Sequence, residues 1–372
     1  MPSVTNSPSL FPELTRENVL SFQFSSWYPR FRSLTIKSTI IRPLNPEFRE
    51  YLDSEGVFLP EGCEDAPLES TLSDDEDDQK DKEHEESSDE EEDDDEPPRR
   101  KFAFPEVDRQ IRETVSQYGA VFPKLNFSSP RDAAWMLPAS SPMKCMSPSD
   151  VYTLLKASDF VLHDLEPKSV FDGVENPSSQ VPYELELVLR KWYPVDHGRE
   201  LRCFVRRETL LGISQRDPNY YDFWNESSTQ NQVLSAVQTF WSENIKGKWE
   251  ESQGNYIFDI LLTRDLQRAH IIDFNPYAPR TDPLLFTYEE LLDLLSRPEA
   301  DKKPVLKVID SRSHPAATRN APAHQHNMVP IEALTLSSGR NVQEFTDLLS
   351  QEILRSTTGR ESDDDNDDDG GQ

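Results

Sequence analysis

Residues 74–96 hold seventeen acids against only Lys80 and Lys82, a net charge of −15. No compact fold can absorb such a run, because it offers almost no apolar surface to offset the entropy of ordering. The chain must therefore be assembled from what lies on either side, with 71–100 as a disordered acidic insertion. Residues 361–372 repeat the pattern on a smaller scale, with seven acids and no base, and are expected to form a disordered tail. The two runs account for −22 of the total charge of −30 and leave −8 for the rest of the 372 residues. A mildly acidic remainder does not favour a nucleic-acid backbone as main partner. The 35% hydrophobic content looks thin only until the acidic runs are set aside.

No apolar stretch is long enough to span a bilayer, and the N-terminus lacks the basic-then-apolar pattern of a secretory signal. Cys63, Cys145 and Cys203 are odd in number and far apart, which argues against a disulfide framework or a cysteine zinc site. These features point to a cytoplasmic protein in a reducing compartment. Ser73, Ser87 and Ser88 sit among acids, as an acid-directed kinase would require, although a solvated spacer explains the run as well.

Either side of the insertion the sequence reads as ordered. The 19–32 stretch is dense in aromatics, 33–44 has strand-like spacing that stops at Pro43, and 47–51 suits a short helix. Order returns at Phe102 with an amphipathic helix over 105–118, then a strand over 121–127 and a helix over 147–158 capped near Ser149 or Asp150. Strands follow between 183 and 216, a helix over 228–247 ends at Gly247, and a strand pair occupies 255–263 and 270–277. A helix over 286–295, a strand over 304–311 and a last helix over 341–354 complete an α+β pattern.

The strand pair carries the sharpest chemistry. In IIDFNP, Asp273 and Asn275 share one face because strand side chains alternate. A hairpin centred on Leu266 would place Asp259 directly across from Asp273. Opposed carboxylates repel unless something compensates. A divalent cation such as Mg²⁺ would do so, with two carboxylates and an amide as hard oxygen ligands. Neutralisation by lysine or arginine would do equally well. Lys124, at the end of an apolar strand in VFPKLNFSSPRD, offers a point charge for phosphates, with Ser128, Ser129 and loop amides as donors. An ordinary surface lysine is the alternative. Arg190, Glu200, Arg202 and Arg216 put charges on sheet faces where partners are required. A polyphosphate with its metal, or a set of internal ion pairs, would supply them. His314, His324 and His326 cluster in a Pro/Ala-rich loop and do not form a catalytic pattern.

The phrases SFQFSSWYP (21–29), VFPKLNFSSPRDAAWM (121–136), LVLRKWYP (187–194), ELRCFV (200–205), LGISQRD (211–217) and IIDFNPY (271–277) together resemble the cell division cycle protein 123 family of eukaryotes. The resemblance implies an ATP-grasp-like fold, with two lobes holding ATP and Mg²⁺ between antiparallel sheets. It places residues 1–70 and 101–182 in the first lobe and 183–300 in the second, followed by a C-terminal strand and helix over 301–358 and the tail over 359–372. It implies that Lys124 contacts phosphates and that Arg190, Lys191, Trp192 and Tyr193 form a hinge against adenine. Glu200 would lie near the ribose and Arg202 and Arg216 near phosphate, with Asp259, Asp273 and Asn275 as the metal set. Its members assemble translation initiation factor 2 and bind that factor's γ subunit. The loop after Lys124 has Ser-Ser-Pro where many ATP-grasp proteins have glycines, and is expected to be stiffer.

The implied function is an ATP-dependent assembly chaperone. The alternatives are a ligase or kinase that makes an acylphosphate on a carboxylate, and an acidic chaperone working through the two charged runs. For the chaperone, the aromatic segment around Trp27 and Tyr28, or the 304–354 region, is the expected contact surface.

Overall fold

The computed structural model describes residues 9–64, 100–138, 140–174, 182–298 and 301–319. The acidic insertion, the tail, the serines within the insertion, His324, His326 and the helix expected at 341–354 lie outside these residues.

Two sheets organise the chain. The smaller has strand order β1-β3-β2, with β1 at Ser38–Ile41, β2 at Val121–Lys124 and β3 at Leu187–Lys191, all antiparallel. Pro123 is tolerated because β2 is an edge strand. The larger has order β7-β6-β4-β5-β8, with β4 at Glu200–Arg206, β5 at Thr209–Gln215, β6 at Tyr256–Leu262, β7 at Ala269–Pro276 and β8 at Val305–Lys307. Four of its strands form antiparallel pairs, but β8 runs parallel to β5, so this sheet is mixed rather than purely antiparallel as expected. The α+β class holds.

Helices α1 (Arg16–Ser21) and α2 (Phe24–Phe31) precede β1, and α3 (Pro46–Asp53) follows it. Next come α4 (Pro105–Tyr118), α5 (Pro148–Lys156), α6 (Asp159–Leu165) and α7 (Pro167–Val170). The start of α4 uses Pro105 in the first turn, and Gly119 at φ 83° ends it. In α5, Ser147 and Asp150 form a reciprocal capping box, which moves the cap from Ser149 or Asp150 to Ser147. Helix α8 (Ser227–Asn244) stops three residues before Gly247, which sits at φ 68° in the turn that follows. Helix α9 spans Tyr288–Ser296 and α10 spans Pro315–Arg319. Among the described residues no helix is long and apolar enough to cross a membrane. All three cysteines are buried and free.

Three apolar cores result. One fills the smaller-sheet lobe with Phe48, Tyr51, Phe104, Ile111, Tyr152, Leu187 and Leu189. A second covers one face of the larger sheet with Val237, Trp241, Trp249, Phe258 and Phe274, and a third lies on the other face under α9. Phe22, Phe24, Trp27 and Phe31 join the second core. The N-terminal helices grouped by sequence with the first lobe therefore pack on the larger sheet. Trp27 is fully buried, with its ring 5.2 Å from Phe274, and Tyr28 stacks on Phe24. This corrects the expectation of an exposed aromatic contact surface here: truncating a buried tryptophan costs about 3–5 kcal/mol, and these rings are spent on the core. Of the 304–354 alternative, only β8, α10 and their neighbours are described, and β8 is shorter than the strand expected over 304–311.

Candidate functional site: a buried ionic network between two sheets

The site begins with the β6–β7 register. Asp259 does pair with Asp273, and Ile257 with Asn275. The route differs from a regular hairpin centred on Leu266. Ile260 pairs with Ile271, so Ile272 is an extra residue on β7 that restores the Asp–Asp pairing. Arg190 from β3 donates to the Ile272 carbonyl at 2.7 Å, so the bulge is also where the smaller sheet meets the larger.

Neither carboxylate is left unpaired. Asp259, 1% exposed, accepts from Arg202 Nε and Nη2 at 2.8 Å each, and Arg216 Nε lies 3.2 Å away. The partners are close because β4 lies beside β6 and pairs Arg202 with Asp259. Burial pushes the Asp259 carboxyl up, but Arg202 and Arg216 outweigh it and bring it to about 2. Asp273, half-buried, accepts from Lys124 Nζ at 2.8 Å. Lys124 is 2% exposed and also donates to the Phe127 carbonyl, which disposes of the surface-lysine reading.

The remaining charges extend the network. Arg216 Nη1 donates to Glu200 at 2.6 Å, and the other Glu200 oxygen lies 2.6 Å from His197 Nδ1. Arg190 is fully buried and brought down to about 10, chiefly by burial, and its Nε has no partner among the described residues. Arg131 is depressed first by its proximity to Arg216 and then by burial. Lys124, Arg190, Arg202 and Arg216 thus lie among Glu200, Asp259 and Asp273, with Glu186 close to Lys124 and Asp282 close to Arg202. Arg131 is exposed, and its guanidinium and that of Arg216 repel each other, so a cationic side chain is present at the solvent edge of the network.

The other sequence-derived residues divide into two groups. Asn275 faces a cavity of about 280 Å³ shared with Phe127, Ser128, His163, Arg202 and Arg280. Lys191 ends β3, and Trp192 and Tyr193 begin the β3–β4 connection, which links the two sheets covalently, but the contacts of all three are made outside the ionic network. Trp192 Nε1 donates to the Pro142 carbonyl at 3.0 Å, and Lys191 lies over the Tyr193 ring. Ser129 reaches only the Pro123 carbonyl at 3.4 Å. Ser128 donates to Asp164, and so do the amides of Phe127 and Ser128. In this conformation the loop donors assigned to phosphate are turned inward. Sequence reading overlooked Arg131, Asp164 and His197. Arg131 lies within the quoted motif, but nothing in the spacing indicated which way it points.

A family profile described as D123 matches residues 27–337. The chain belongs to this family. It is 37% identical over 82% of its length, and 70% of the relative's, to a protein of Sclerotinia sclerotiorum named translation initiation factor eIF2 assembly protein. A Xenopus tropicalis protein of the same name is 33% identical, covering 90% of this chain and 96% of that one. The solved structure of Cdc123 from Schizosaccharomyces pombe aligns with a TM-score of 0.60 at 31% identity, covering 81% of this chain and all of that one.

The Glu200 hydrogen bond raises His197 above its ordinary 6.5, against a smaller opposing effect of burial. Its contribution to stability is complete below pH 6.5 and is lost as pH rises through the elevated value. Glu200 lies below its ordinary 4.5: burial is the largest influence and pushes it up, but His197 and Arg216 outweigh it. That contribution is complete above pH 4.5 and lost as pH falls through the lowered value. Thermal melts of wild type and His197→Gln are expected to differ most between pH 4.5 and 6.5 and to converge on either side. A difference that stays flat from pH 5 to 8 would show that the contact carries no net interaction.

Proposed function

We propose that this protein promotes assembly of translation initiation factor eIF2 in the cytoplasm, as the names of its relatives state for them. We infer further that it does so while holding ATP and Mg²⁺ between its two sheets and docking on the factor's γ subunit. The observation that carries the nucleotide reading is the ionic network built from both sheets, in which Lys124 of β2 reaches Asp273 of β7. Two sheets facing each other across such a network are what an ATP-grasp-like protein requires.

The donor set fits a divalent ion: two carboxylates at paired strand positions and an amide two residues on supply hard oxygen ligands. Asp273 and Asn275 are the half-buried members, and Asn275 lines the cavity described above. Asp259 would share its oxygens with Arg202 and Arg216. Asp273 and Asn275 would hold Mg²⁺, which when bound would supply positive charge against the carboxylates and phosphates. Lys124, Arg131 and Arg216 would neutralise the remaining phosphate charge, and Lys191, at the end of β3, with Trp192 and Tyr193 would hold the base end. Bridging both sheets, the nucleotide would fix one relative placement of the lobes, and a surface of that placement would receive the γ subunit.

The test is titration calorimetry of ATP with and without Mg²⁺, followed by capture of purified γ subunit in the presence and absence of the nucleotide. Saturable Mg²⁺-dependent ATP binding that strengthens γ capture supports the reading. Absence of ATP binding removes it. Sustained ADP release with a carboxylate acceptor would indicate the ligase or kinase alternative.

A further inference from the structure

Asp164, near the end of α6, is fully buried and has no lysine or arginine among its hydrogen-bonding partners. A buried carboxylate persists only where donors satisfy it. Here Oδ2 accepts from the amides of Phe127 at 2.8 Å and Ser128 at 2.9 Å, while Oδ1 accepts from Ser128 Oγ at 2.8 Å and lies 3.1 Å from His163 Nδ1. Tyr183 anchors the same residue by donating to its carbonyl at 2.7 Å. Three of the four groups in contact with the carboxylate, all of them donors, thus come from the segment that follows Lys124. The Phe127 carbonyl on that segment is in turn an acceptor for Lys124 Nζ, whose other partner is Asp273. Asn126 completes the clamp. It is fully buried, with Oδ1 accepting from the Glu186 amide at 3.0 Å and Nδ2 donating to the Glu184 carbonyl at 2.8 Å.

We propose that Asp164 is a positioning residue that holds the 124–131 segment in its binding-competent shape before nucleotide arrives, so that phosphates are met by preset side chains and not by loop amides folding over them. The inference rests on the nucleotide reading of the cleft. The physical argument is that an amide bonded to a buried carboxylate is not available to a phosphate. Turning it outward would leave Asp164 buried with its charge unsatisfied, a cost that the loop avoids by staying in place. The Ser-Ser-Pro sequence suits this role: a serine supplies a third bond to Asp164, and proline limits the backbone where a closing loop would need glycine.

Hydrogen exchange separates the two behaviours without any substitution. The amides of Phe127 and Ser128 are expected to exchange slowly in the free protein and to change little when Mg²⁺ and ATP are added. Fast exchange in the free protein that slows only with ATP would overturn the proposal, since it describes a loop that closes on phosphate. Substitutions then test the consequence. Asp164→Ala is expected to weaken ATP binding about 10- to 100-fold, the range of a site loosened by about an ångström, with adenosine affinity unchanged. Asp164→Asn, whose oxygen still accepts from both amides, should recover ATP affinity to within about threefold of wild type. Unchanged ATP affinity in Asp164→Ala, or an equal loss for adenosine, would remove the positioning role. If the wild-type protein binds no ATP, the nucleotide reading fails and this role fails with it, while slow exchange in the free protein would still report the clamp.

Discussion

Asp273→Asn is expected to weaken Mg²⁺-dependent ATP binding about 100-fold, the upper end of what even an outer-sphere partner of a metal contributes. The side chain projects from β7 at 20% exposure, where its oxygens take Lys124 Nζ and the amide of Phe274. Asparagine keeps the size and one acceptor oxygen but removes the negative charge that a divalent ion requires. The fold should survive, because Lys124 retains the Phe127 carbonyl, at a cost of about 2 kcal/mol for the weakened charged hydrogen bond. Calorimetry with ATP and Mg²⁺, repeated with ATP and chelator, isolates the effect: the loss should be confined to the metal-dependent part. If Mg²⁺ strengthens ATP binding equally in both proteins, Asp273 does not ligate the ion.

Asp259→Ala should act on stability first. Removing it leaves the buried Arg202 guanidinium with the Asp282 carbonyl but no carboxylate, and deprives the partly buried Arg216 of one of its two acid partners. Breaking a buried pair on one side costs about 3–5 kcal/mol, because the remaining charge has lost its solvent and its partner together. Urea denaturation reads this directly. Adding Arg202→Met should recover part of the loss, since the stranded charge is then gone. A single-variant loss below about 1 kcal/mol would mean that Asp259 is not a structural counter-charge. The same linkage sets an acid limit. The Asp259 contribution is present above its ordinary 3.8 and fades as pH falls through about 2. The two aspartates face each other across one strand pair yet are expected to fail differently: one by losing a ligand, the other by losing a core.

Much of the architecture was legible because its signals are local. The α4 boundaries follow from Pro105, the early acids and Gly119, all within one helix. The Asp259–Asp273 pairing followed from alternation and a short connection, but it is reached only because the extra residue at Ile272, between that pair and the turn, shifts the register by one. The arginines that neutralise Asp259 were not legible. Arg202 reaches it only because β4 comes back beside β6 from 57 positions earlier in the chain, a non-local strand order with no periodic signature. The aromatic segment around Trp27 failed for another reason: rings suit a core and a docking surface equally, and only the packing of α2 on β7 separates the two.

By itself the sequence determined which segments alternate or repeat with helical period and which charges share a strand face, since both depend on neighbours a few residues away. Only the tertiary structure decided that the carboxylates are held by arginine and lysine, that Lys124 is buried, and that the loop beyond it is gripped by Asp164. Each of those outcomes joins groups far apart in the chain, and the low polarity of the interior makes their pairing obligatory once folding has brought them together.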